Sequence, residues 1–176
     1  MVASGTRDGV AKADSYPGTV AALVAALLGV LFAGVSSYWA LGGSWLLSTV
    51  GGALEARGRA GDPTVVVLVW ASVVLKLIAA FLGVAVVRRW IGGVLGVLVR
   101  IAAWVAAVVL VLYGAVLTVG GSLVVSGVIT PRPDADLLAI RWHAYFWDPW
   151  FLIWGSFLLL ALVQARRRTA FVEGVR

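Results

Sequence analysis

Four long apolar runs, separated by short polar stretches, organise this chain. They lie at about 17–40, 64–87, 100–124 and 149–165. A helix needs ~20 residues to cross the ~30 Å hydrocarbon core of a bilayer, and each run comes close to that length or exceeds it. Backbone groups in lipid must find partners within their own segment, so apolar runs of this kind predict α-helices. The expected fold is all-α, a polytopic membrane four-helix bundle. Residues 1–16 read as a short cytoplasmic tail rather than a cleaved leader, because the apolar stretch that follows outruns a signal core. Residues 166–176 form a basic tail. Two Asp-Pro pairs, Asp62-Pro63 and Asp148-Pro149, supply an N-cap and a first helical residue for the second and fourth runs. Between the third and fourth runs, Asp134 is expected to cap a short helix whose Leu137, Leu138 and Ile140 lie on the membrane or the bundle. The start of the third run is open: residues 91–99 are also apolar and read either as extra helical turns or as an interfacial piece.

Composition supports the membrane reading. The chain is 62% hydrophobic, with a mean hydropathy of +1.03, more apolar material than a soluble domain of this size can hide. The net charge of +6 is not a nucleic-acid signature, since the arginines cluster at the ends of the apolar runs. With the N-terminus inside, Arg7, Lys12, Arg88, Arg89, Arg100, Arg166 to Arg168 and Arg176 face the cytoplasm, against Arg57, Arg59, Arg132 and Arg141 outside. This bias puts both termini in the cytoplasm. Cysteine is absent, which removes disulfides and thiolate metal sites. The Ala-Gly-Val-Arg bias points to a bacterial genome and so to the inner membrane.

Small residues recur every four positions in the first run, at Ala21, Ala25, Gly29, Ala33 and Ser37. That spacing lets helices approach closely. It serves packing within the bundle or a homodimer seam through Ala25, Gly29 and Ala33.

Lys76 stands at the middle of the second run. A charge at that depth costs ~2.5–3.5 kcal/mol on insertion scales and marks a functional site by default. The chain has only one other lysine, Lys12. Counting residues along each run places Tyr113, Ser156 and Gly29 at a similar depth. An amine, a phenol and a hydroxyl at one level would form a buried polar cluster. No acidic residue lies inside a run, so the amine is either neutral and hydrogen-bonded to Tyr113, or paired from outside the chain. Snorkelling looks too short, ~6 Å of reach against ~15 Å to the interface. The readings are a structural donor that ties the helices together, a contact to an acidic group on a partner subunit, or a contact to a lipid-like ligand.

Two segments carry the remaining chemistry, and the orientation places both on the outer side. Residues 36–45 contain Tyr38, Trp39, Gly42, Gly43 and Trp45; residues 141–155 contain Arg141, His143, Trp147, Asp148 and Trp150. Tryptophans there form an aromatic belt or line a ligand cup above a turn at Gly42-Gly43. Asp148 could pair with Arg141 or His143, and His143 with Asp148 could act as an acid–base dyad. One histidine and one carboxylate do not make a zinc site, which wants three protein ligands, and no cofactor is implied.

The run Tyr38-Trp39-Ala40-Leu41-Gly42-Gly43 with Trp45 resembles the N-terminal signature of the DUF3995 family, small bacterial four-helix membrane proteins. Asp148-Pro149 is similar to the family's C-terminal motif. The chain departs at Ser36, where the family pattern carries a histidine in many members. The resemblance implies topology and no activity. The leading functional expectation is a non-catalytic binding or accessory protein for a hydrophobic ligand or membrane partner. A small enzyme acting on a lipid-soluble substrate comes second and a small transporter subunit third; nucleic acid is not an expected partner.

Overall fold

A computed structural model describes residues 18–174, with side chains to Arg167. The tail 1–16 lies outside the described residues, as do the side chains of the basic tail beyond Arg167. No strand occurs among the described residues. The helices are α1 (Thr19–Ala40), α2 (Gly52–Arg59), α3 (Pro63–Arg88), α4 (Gly93–Val125), α5 (Leu137–Trp142) and α6 (Asp148–Gly174). A 3₁₀ turn, Leu47–Thr49, precedes α2, and a π-helical turn, His143–Trp147, joins α5 to α6.

Four of these helices, α1, α3, α4 and the α5–α6 unit, are long and apolar enough to cross a membrane. The open start of the third run is settled by α4, which begins at Gly93 and takes in most of the apolar 91–99 segment. Its 33 residues extend ~50 Å at 1.5 Å per residue.

The start of α3 follows the cap chemistry read from sequence. Asp62 Oδ1 accepts the Thr64 backbone N–H at 2.8 Å, and Pro63 is the first helical residue. That backbone N–H holds the Asp62 carboxyl below the ordinary carboxylate range. A depressed pKa means the cap contributes fully above the unfolded value and is lost as pH falls through the folded one. Protection of the Thr64 amide from hydrogen exchange is therefore expected to persist near neutrality, to vanish in acid below the ordinary carboxylate range, and to be absent at every pH in Asp62→Ala.

Two other cap assignments are corrected. Asp136, not Asp134, caps α5: its Oδ1 accepts the Leu138 and Ala139 N–H groups, each at 3.0 Å. Asp148-Pro149 does not open a helix after a loop. Helix runs on from Leu137 through the π turn, and Asp148 is already helical at φ −77°, ψ −40°. The cause is Pro149, which has no N–H and whose ring crowds the carbonyl four residues back. A π turn widens the backbone at that point and lets the helix pass the proline.

Packing follows chain order. α1 lies chiefly along α3 and then α6, α4 lies along α6, and α3 meets α4 along a shorter seam. The end where α1 finishes, and where α3 and α6 begin, is called the rim below. Large side chains come mainly from α6 and small ones from its neighbours. Trp154, Leu158 and Leu162 are buried against Ala25, Ala80, Ala103 and Ala107. A Cβ on Gly29 would stand 2.6 Å from Trp154 Cζ2 and 2.7 Å from Ala80 Cβ, and one on Gly83 2.6 Å from Leu158 Cδ1. Close fit of this kind holds helices together in lipid, where apolar surface gains little by leaving its surroundings.

The small-residue stripe of α1 is thus used inside the chain. Ala25, Gly29 and Ala33 are all buried within the chain.

Candidate functional site

The contact between Gly29 and Ala80 fixes the register of α1 against α3. The two helices run in opposite directions, so one turn toward the rim pairs Ala33 with Lys76. Cα–Cβ bonds tilt toward the N-terminus of a helix, and the N-terminus of α3 is at the rim. The Lys76 side chain therefore leans rimward and reaches past Ala33 to Ser36. Lys76 Nζ donates to Ser36 Oγ at 2.9 Å and to Ser72 Oγ at 3.2 Å. It also stands 4.7 Å from the centroid of the Phe32 ring, within cation–π range. Ser36 lies about one turn from the end of α1 at Ala40, and is 2% exposed.

This corrects the expected cluster of Lys76 with Tyr113 and Ser156. Ser156 is exposed and donates to the Leu152 carbonyl in its own helix at 2.7 Å. Tyr113 is 48% exposed and packs edge-on against Phe151 at 5.1 Å. Neither hydrogen-bonds Lys76. Snorkelling is also larger than expected, because the amine leans rimward and meets Ser36 close to the end of α1. The missed partner Ser72 carried a sequence signal: it is four residues before Lys76, on the same helical face. Ser36 carried no signal in residue counting, and stood out only as the position where the chain leaves the family pattern.

Phe32 is the hub around which the aromatic residues gather. Trp147 stacks on it at 5.6 Å, with Trp150 at 5.9 Å and Phe151 at 4.8 Å. These are internal contacts rather than a belt at a membrane surface. Trp147 is 3% and Trp154 1% exposed. Trp147 Nε1 donates to Thr49 Oγ1 at 3.0 Å, tying the π turn to the 3₁₀ turn, and Trp150 Nε1 donates to the Leu28 carbonyl at 3.2 Å. A Trp147→Phe substitution keeps most of the stacked ring and removes that donor. Thr49 retains its own bond to the Leu46 carbonyl at 2.6 Å. The expected loss is about 1 kcal/mol of unfolding free energy in detergent; a loss more than three times as large would show that the ring itself was displaced.

The segment after α1 folds back on itself. Tyr38 lies over Gly43, whose Cβ would collide with the phenol ring. Trp39 Nε1 donates to the Trp45 carbonyl at 2.8 Å. Gly42 has φ +90°, a conformation glycine takes without strain. Trp45 remains 67% exposed and borders a shallow groove with Gly34, Val35 and Tyr38. That groove lies on the far side of α1 from Ser36.

A second groove, of about 400 Å³, opens at the rim between the Val50–Gly52 loop, α4 and α5. His143, Asp136 and Asp148 line it with Leu117, Val124 and Ile140. Asp148, 3% exposed, is 3.2 Å from His143 Nδ1 through Oδ1. Of the two partners expected for Asp148, the histidine is the one engaged; Arg141 is exposed. Among the described residues no group of three or more His, Cys, Asp or Glu side chains is arranged to hold a metal.

The Lys76 charge has no acidic counterpart within the spanning helices α1, α3 and α4, and Asp148 is engaged with His143. The Lys76 amine is thus held by two hydroxyls and an aromatic face, with no carboxylate among its described partners. No curated protein and no solved structure matches the chain. The DUF3995 profile matches residues 29–158, a stretch that contains Phe32, Ser36, Ser72, Lys76, the rim turns and most of the spanning helices. The chain belongs to the DUF3995 family, described as proteins of unknown function.

Proposed function

We propose that this membrane protein is a four-helix bundle of a bacterial inner membrane, with both termini cytoplasmic and the rim outside. In this reading it is a binding or accessory protein that meets a hydrophobic ligand or a membrane partner at Lys76, and it does no chemistry itself. The observation that carries the reading is the Lys76 amine, placed among Ser36, Ser72 and Phe32 with no acidic partner among the described residues. Intramembrane cations of this kind face interiors or cavities and mark where something binds. The distribution of arginines supports the orientation.

Native mass spectrometry of the detergent-purified protein tests this. The expected result is a retained lipid-like species or subunit that disappears in Lys76→Met. Co-purification that is unchanged in Lys76→Met, or a protein that carries nothing, would count against it.

A small membrane enzyme is the second reading, and one observation favours it. The His143–Asp148 pair borders the groove between the Val50–Gly52 loop, α4 and α5, as an oriented general base would. Among the described residues, however, no hydroxyl hydrogen-bonds to His143, so a nucleophile is missing. A family-linked phenotype abolished by His143→Ala but not by Lys76→Met would favour the enzyme.

A further inference from the structure

The seam between α4 and α6 keeps one register along its length. Gly121 meets Ala144, Gly114 meets Leu152, and Gly155 meets Leu110 and Val111. Ala103 and Ala107 then share a buried cluster with Leu158 and Leu162. One turn farther from the rim, the same register brings Arg100 level with Arg166. Arg100 lies three residues before Ala103 and Arg166 four residues after Leu162, so each continues the face that its helix turns to the other. Both are exposed. The tight seam ends in two guanidiniums instead of another pair of small or apolar residues.

Arg100 differs from the arginines that simply end a helix. α4 begins at Gly93, so ~10 Å of helix lies beyond Arg100. Val94, Leu95 and Leu98 in that stretch are exposed, as is Trp90 just before it. On the rim side of Arg100, Ile101, Val105 and Leu112 are exposed as well. The cation stands within the apolar length of α4, not past its end, where an unanswered charge is costly. The acidic side chains at Glu55, Asp62, Asp134, Asp136 and Asp148 belong to the helices and loops of the rim. None among the described residues lies at the opposite end.

Like charges that face each other across a seam repel, and guanidiniums recognise phosphate oxygens with paired N–H donors. We infer that Arg100 and Arg166 hold the phosphate of a phospholipid with net negative charge, at the end of the α4–α6 seam, with its acyl chains running rimward along Ile101, Val105 and Leu112. A zwitterionic head brings the same phosphate with a cation beside it, and so answers two facing arginines less well. This lipid site is independent of Lys76 and of the binding role proposed there.

The test is native mass spectrometry of the full-length protein in neutral detergent at low ionic strength, titrated with phosphatidylglycerol or phosphatidylcholine of identical acyl chains. One basic residue near a membrane surface is worth about fivefold toward an anionic lipid, so the wild-type protein is expected to bind its first phosphatidylglycerol about twentyfold more tightly than phosphatidylcholine. Arg100→Gln and Arg166→Gln are each expected to narrow that preference about fivefold, and the double variant to bring it near unity. Arg132→Gln, which removes an exposed arginine at the rim, is expected to leave it intact. Equal binding of the two lipids by the wild-type protein overturns the inference, and needs no variant to fold. A loss in Arg132→Gln as large as in Arg100→Gln overturns it too, because the preference would then follow net charge and not this seam.

Discussion

Replacing Ser36 and Ser72 together by alanine is expected to destabilise the folded protein by about 2–4 kcal/mol, while Lys76→Met is expected to leave stability unchanged or raise it. The two changes act on the same contacts from opposite sides. The double alanine variant keeps the amine and removes both of its acceptors, and hydrogen bonds to a charged group are worth about 1.5–3 kcal/mol each before the side chain relaxes. Lys76→Met removes the charge and fills nearly the same volume with an apolar chain. Exchange of a buried polar group for a well-packed apolar one is often neutral or favourable. Unfolding free energies measured side by side in one detergent decide the matter. A large loss in Lys76→Met would make the lysine a structural donor that ties α1 to α3, and would remove the reason to seek a ligand. The absence of such a loss would mean that the chain keeps a costly charge for a purpose other than folding.

The second large effect concerns the crossing of α4 and α6. Gly114 and Gly155 bring the two backbones together: a Cβ on Gly155 would lie 2.7 Å from the Val111 backbone nitrogen, and one on Gly114 would collide with the Leu152 backbone nitrogen. Backbone atoms cannot swing aside as a side-chain tip can. Gly114→Val is expected to push the helices apart, expose part of the Trp154–Leu158 core and cost more than the ~1–3 kcal/mol usual for an overpacked site. Gly120→Ala is the matched control. A Cβ there meets nothing within 4 Å, and alanine is favoured over glycine inside a helix by ~1 kcal/mol. That variant is expected to match or exceed the parent in thermal stability by size-exclusion assay. Equal damage from the two changes would show that α4 and α6 do not cross at these glycines.

The spanning helices were legible in the sequence because run length alone identifies them: four apolar helices stand where four apolar runs were read. The start of α4 was not, because nothing polar separates residues 91–99 from the run that follows. The continuity of α5 with α6 was missed for a related reason. Asp148-Pro149 is a strong local signal for a helix start, and sequence pattern does not reveal that a π turn can absorb the proline.

The candidate site was half legible. Lys76 was conspicuous, but its partners were sought by counting residues from run ends. That method assumes that helices begin in one plane and that side chains stand level with their own Cα. Neither assumption holds here. The Gly29–Ala80 contact sets the register, and the rimward lean of the lysine carries its amine to Ser36 rather than to Tyr113 or Ser156. The tryptophans misled in the opposite sense: their clustering near run ends suggests a surface belt, yet Trp147, Trp150 and Trp154 turn inward around Phe32 and Gly29.

Only Lys12 and Lys76 carry side-chain amines, which permits a single decisive measurement. Intact cells are treated from outside with a small membrane-impermeant amine reagent, and the two lysines are quantified by peptide mass spectrometry. With the rim outward and the half-buried Lys76 amine leaning toward it, Lys76 is modified and Lys12 is spared until the cells are opened. Labelling of Lys12 with Lys76 untouched would contradict both the orientation and the rimward reach of the Lys76 amine.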